Sequence, residues 1–163
     1  MPARWLMKSE PDVYAYADLV RDGRTHWDGV RNYQARNMMR DAMVIGDLVL
    51  YYHSNTNPPH VAGVARVCKE GYPDHTALDP TSHYHDPKAT PENPRWVMVD
   101  IEPVVELPQP VALSDIKNDP SFEGMPLIQR GQRLSIQTVD EHHFRRILEL
   151  GGLDADVLLG EDA

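Results

Sequence analysis

Two runs, "GDLVLYYHS" (46–54) and "HVAGVARVCKEG" (60–71), are separated only by the turn formers "NTNPP". Strand-length apolar runs bounded by Gly, Asn and Pro read as β-strands, and so short a break makes the pair a hairpin with an irregular connection. A third run, "RWVMVDIEPVVELP" (95–108), sets Val97, Val99 and Ile101 on one face. Between the second and third lies "YPDHTALDPTSHYHDPKATPENPR" (72–95), with five prolines and no apolar period. Turn formers at that density predict a long surface loop rather than a linker between domains.

Shorter elements surround this frame. "RWLMKS" (4–9) is a strand candidate ending before Pro11, and "AYADLVRDG" (15–23) a short helix stopped by Gly23. "YQARNMMRDA" (33–42) is a helix with Asn32 placed to cap it. "ALSDIKND" gives a short helix, "GMPLIQRG" a turn, "QRLSIQTV" a strand, and "DEHHFRRILEL" a last helix with Phe144, Ile147 and Leu148 on one side. Strands interrupted by short helices, with one near each end, predict an α+β fold: a small curled mixed sheet or barrel with helices over its openings.

A chain of 163 residues, 41% hydrophobic, suits one domain, here residues 1–150, followed by an acidic tail, 151–163. No stretch reads as a secretory signal or is long enough to span a bilayer, so a cytoplasmic location is expected. The lone Cys68 sits in an alternating run and reads as a part-buried strand residue. The formal charge of −9 excludes a protein that coats nucleic acid by charge alone. Five acids (Glu149, Asp154, Asp156, Glu161, Asp162) follow Leu148 with no base among them. Residues 1–148 therefore hold 16 basic against 20 acidic groups, a net of −4, which leaves room for a local basic pocket.

Candidate binding groups fall in four places. In "HWDGVRNYQARNMMRD" (26–41), Asp28-Gly29 supports a tight turn that presents Trp27 and Tyr33 as flat rings, and Arg31, Asn32 and Gln34 as donors and acceptors. The competing reading makes Trp27 a packing anchor and Asn32 only a cap. "YYHSN" (51–55) ends a strand in polar rim residues, and Arg130 and Arg133 of "QRGQRLS", with Lys8, form the best basic cluster. His83, His85 and Asp86 of "SHYHD" have metal-ligand types, yet lie in a proline-rich loop without the spacing of a metal motif. The pair His142-His143 is weaker still. Neither a metal nor a cofactor is expected.

The segments "WLMKSEP", "WDGVRNYQARN", "GDLVLYYHS", "GVARV", "DPTSHYHDPK" and "QRLSIQTVDEHHFRRIL" resemble, in order, those of the EVE domain family. The resemblance implies a PUA-like fold, kinship with YTH and SRA domains, and binding of a modified base in nucleic acid, modified cytosine in DNA before RNA. Carried over by position, it implies a pocket of Lys8 and Ser9; Trp27, Val30, Arg31, Asn32 and Tyr33; His53, Ser54 and Asn55; and Arg133, Leu134 and Ser135. His83 and His85 match no family pattern. Extruding a base from a duplex costs a few kcal/mol, which an aromatic surface and edge hydrogen bonds can offset without catalysis. The resulting expectation is a non-catalytic reader whose downstream effector is another protein. The alternatives are a metal-dependent hydrolase or nuclease, or a binder of a free nucleotide-like molecule.

Overall fold

The computed structural model describes residues 3–159. Its strands are β1 (Arg4–Ser9), β2 (Thr25–His26), β3 (Leu48–His53), β4 (His60–Pro73), β5 (Val97–Ala112) and β6 (Ile136–Thr138). They form one mixed sheet in the order β2-β5-β4-β3-β1-β6. β3, β4 and β5 run antiparallel as a meander, β1 pairs parallel with β3, and β6 pairs antiparallel with β1. The sheet is not closed: β2 and β6 are its edges, so the expected barrel is a curled open sheet. The curl comes from the long β4 and β5, whose register shifts at four points; each bulge adds local bend and twist.

Apolar side chains cover both faces, which is why β1 and β3 read as unbroken apolar runs rather than alternating ones. Trp5, Met7, Val49, Tyr51, Val99 and Ile101 point to one core. Leu6, Leu50, Tyr52, Val61 and Val64 point to the other. Burying one such side chain contributes about 1.5–3 kcal/mol, so a one-residue slip of β1 or β3 would exchange both sets at once. Helices α1 (Pro11–Tyr14), α2 (Tyr16–Asp22) and α3 (Tyr33–Asp41) precede β3, and α2 and α3 bury Tyr16, Leu19, Ala35 and Met39 in the first core. Gly63 leaves room for this: a Cβ there would come within 2.6 Å of the Tyr16 ring, whose hydroxyl donates to the Val64 carbonyl at 2.7 Å.

The second core is closed by α4 (Leu113–Asn118) and α5 (Glu141–Leu150), with Phe144, Ile147 and Leu148 fully buried as the helical period predicts. Part of the stretch expected to trail as an acidic tail also packs here. Residues Ala155–Leu159 form α6, burying Ala155 and Leu159, while Arg145 pairs with Asp156 at 2.7 Å. The remaining tail residues, 160–163, lie outside the described residues. No helix among the described residues is long and apolar enough to cross a membrane.

Candidate functional site

The ends of β1 and β3, the 25–31 segment and the 132–135 segment converge on a cleft of about 1180 Å³. Parallel pairing brings the first two together, since Ser9 lies opposite His53 and the Ser54 amide donates to the Ser9 carbonyl at 3.0 Å. Lys8 fixes the 132–135 segment, its amide donating to the Ser135 carbonyl at 2.9 Å. Lys8, Ser9, Ser54, Asn55, Arg133 and Ser135 line this side. Lys8 is half-buried and makes no ion pair among the described residues; burial pushes its ammonium below the ordinary lysine value. Glu10, missed in the sequence, also lines the cleft and accepts from the Asn55 amide.

Trp27, Val30 and Arg31 line the opposite side. The Trp27 amide donates to the Val99 carbonyl at 2.8 Å, which ties this segment to β5. Its indole meets Tyr51 edge to face at 5.5 Å and is only 8% exposed. Trp27 therefore packs into the first core and also lines the cleft. Gly29 turns the chain with φ +78°, and a Cβ there would come within 2.6 Å of the Tyr84 ring. Tyr84 and His83, from the proline-rich loop, complete this wall.

What holds that loop is Asp74, fully buried just beyond β4. Its carboxylate accepts from the Gly29 amide at 2.8 Å, the Arg31 guanidinium at 3.0 Å, and the amide and hydroxyl of Thr76 at 2.9 and 2.6 Å. Burial opposes its ionisation, but the bonds from Thr76, Gly29 and Arg31 outweigh it and hold the carboxyl below the usual range. Arg31 also donates to the Tyr84 carbonyl at 2.6 Å. It borders the cleft, but as the latch of the loop rather than as a free cation. Asp74 carried no signal beyond a turn-rich setting, because its partners Gly29 and Arg31 lie 45 and 43 residues away in sequence, and Tyr84 entered only through the resemblance of "DPTSHYHDPK".

Four expected pocket residues do not reach the cleft. Asn32 faces its own helix, accepting from the Ala35 amide at 3.0 Å as the cap of α3. Tyr33 stacks on Trp96 at 4.8 Å and bonds Arg95. Leu134 is half-buried, holding Gln137 through its carbonyl at 3.1 Å. His53 sits behind the wall, where Nε2 accepts from the Tyr16 amide at 3.1 Å. That acceptor role leaves the proton on Nδ1, to be donated to His60 Nε2 at 3.1 Å, while His60 Nδ1 donates to the Pro58 carbonyl at 2.8 Å. Burial and the neighbouring His60 both lower the His53 pKa. The "SHYHD" residues also disperse: His83 joins the cleft wall, His85 is exposed, and Asp86 accepts from the Trp96 indole at 2.7 Å and pairs with Arg95 at 3.4 Å.

Residues 3–150 match the EVE domain. Human thymocyte nuclear protein 1 is 37% identical over 169 residues, covering 92% of this chain and 74% of its own length. A crystal structure from Pseudomonas putida superposes with a TM-score of 0.87 at 47% identity, covering 91% of this chain and 99% of that one. The human thymocyte nuclear protein 1 solved in complex with 5-methylcytosine-containing DNA superposes with a TM-score of 0.86 at 37% identity, covering 93% and 99%. The chain belongs to the EVE domain family.

Proposed function

We propose that this protein is a non-catalytic reader of DNA that holds a modified cytosine in the cleft that Trp27 lines. The observation that carries the reading is the match, over nearly the whole chain, to a human relative solved with 5-methylcytosine-containing DNA. The cleft supports it with the indole-bearing Trp27 in its lining, short polar side chains (Ser9, Ser54, Asn55) for a base edge, and uncommitted Lys8 and Arg133 for phosphate. A methyl group adds only about 0.8 kcal/mol of apolar burial, so discrimination rests mainly on the shape of the Trp27 and Val30 surface and the water it excludes.

The test is binding of single- and double-stranded oligonucleotides carrying cytosine, 5-methylcytosine, 5-hydroxymethylcytosine or N6-methyladenine. Modified cytosine in a duplex should bind best. Trp27→Phe keeps most of the core packing and should weaken that binding by about 1 kcal/mol, the low end for a stacked base because little of the ring is open. Equal affinity for all the oligonucleotides, unmoved by Trp27→Phe, refutes the reader. Tighter binding of the free nucleoside than of the duplex favours the small-molecule reading.

A further inference from the structure

Away from the cleft, the start of α5 gathers three metal-ligand types. One ligating atom each of Asp140, His142 and His143 lies within 4.8 Å of the others, and the two imidazoles are 3.9 Å apart. None of the three lines the cleft. Two observations set the group apart from an ordinary helix start. His143 is 1% exposed, and neither Nδ1 nor Nε2 meets the geometry of a hydrogen bond, although the backbone of Glu123 and Ser121 lies close to the ring. A buried polar ring left this way costs free energy that a ligand bond would recover.

Asp140 gives the second. It holds the N-cap position of α5, yet its side chain makes no cap hydrogen bond. The other Asn and Asp caps, Asn32, Asp74 and Asp119, each accept from an amide of their first turn. A cap bond is worth about 1 kcal/mol, so a carboxylate that forgoes it beside two imidazoles is placed for a different partner. Glu141 follows but is held by Arg4 at 3.3 Å.

We infer that Asp140, His142 and His143 bind one first-row divalent cation, of which Zn²⁺ is the natural probe. Two imidazoles and a carboxylate form a borderline donor set that suits Zn²⁺ over Mg²⁺ or Ca²⁺. Tetrahedral Zn²⁺ with bonds near 2.0–2.1 Å holds its ligands about 3.3 Å apart. Small rotations of the exposed Asp140 and His142 therefore close the set around the fixed His143. The carboxylates of Asp140 and Glu141 offset the positive end of the helix dipole. Bound there, the ion fixes the first turn of α5, whose His143 packs on the turn at Pro120–Phe122 at 5.8 Å from the Phe122 ring.

The experiment titrates the untagged, chelator-stripped full chain with Zn²⁺, following heat and melting temperature. One equivalent should bind with a rise in melting temperature. Loss of an outer-shell partner alone costs about 10–100-fold in affinity, so His142→Ala and Asp140→Asn, both at exposed positions, should each weaken binding at least about tenfold. His83→Ala should leave it unchanged. No saturable Zn²⁺ binding by the unaltered chain, or less than tenfold weakening in either variant, overturns the site.

Discussion

A carboxylate shut away from water must collect donors, and Asp74 collects them from Gly29, Arg31 and Thr76. It thereby fastens the proline-rich loop to the segment that carries Trp27. Asp74→Asn keeps the shape but turns an acceptor into a donor opposite Arg31, leaving a guanidinium unpaired. Breaking a buried pair costs about 3–5 kcal/mol, and the low end applies because the Arg31 side chain is 23% exposed. Thermal melting should show that loss, and limited proteolysis should cut first within residues 75–95. The folded carboxyl lies below its unfolded value of about 3.9. Its contribution is therefore complete well above pH 4 and is lost as pH falls through the folded value. The loop of the unaltered chain should accordingly become protease-sensitive in acid, and that of Asp74→Asn at neutral pH. Gly29→Ala adds an independent check: the positive φ costs about 1–2 kcal/mol, and the Tyr84 ring must also move.

At the scale of elements, the β3–β4 junction rests on the His53–His60 chain, which requires both rings neutral. Because His53 has a folded pKa below the unfolded value of about 6.5, the unfolded chain takes up the proton first. Stability thus falls as pH drops through about 6.5 toward the folded value, and it is whole above. His53→Gln, which retains an acceptor for Tyr16, should flatten the melting temperature between about pH 6.5 and 5; an unchanged slope would place the sensitivity at another histidine. The long strands and α3 were legible in the sequence because each repeats one pattern over many residues, two-sided for β3 and capped by Asn32 for α3. Three features were not. β2 is two residues long, β6 keeps only Ile136–Thr138 of the eight residues expected, and α6 is a helix of five whose apolar side matters only against α5. For such short pieces tertiary contacts decide, and no local period exists to read. The cleft shows the same limit: strand-end residues Lys8, Ser9 and Ser54 follow from register, whereas the Asp74 latch depends on a fold not yet known.

For the molecule as a whole, a net charge of −9 and the proposed binding of DNA have to be reconciled. Most described cations are already in ion pairs, including Arg21, Arg24, Arg31, Arg40, Arg66, Arg95, Arg145 and Arg146. Lys8, Arg130 and Arg133 are not among them, nor are Arg36, Lys69, Lys88 and Lys117, but of these seven only Lys8 and Arg133 line the cleft, with Arg130 in the same loop as Arg133. A protein held by two or three phosphate contacts shows log Kd rising with log salt at a slope of about 2 to 3, since each contact contributes about 0.9. Most of its affinity must then come from the base, as the proposed reading of a modified cytosine requires. Titrations of a 5-methylcytosine duplex between about 50 and 200 mM salt should give that shallow slope. Arg133→Ala should lower it by about one and weaken modified and unmodified duplexes by equal factors, because a phosphate contact carries no information about the base. A slope near 6, or one that Arg133→Ala leaves unchanged, would move the phosphate contacts to another face of the molecule.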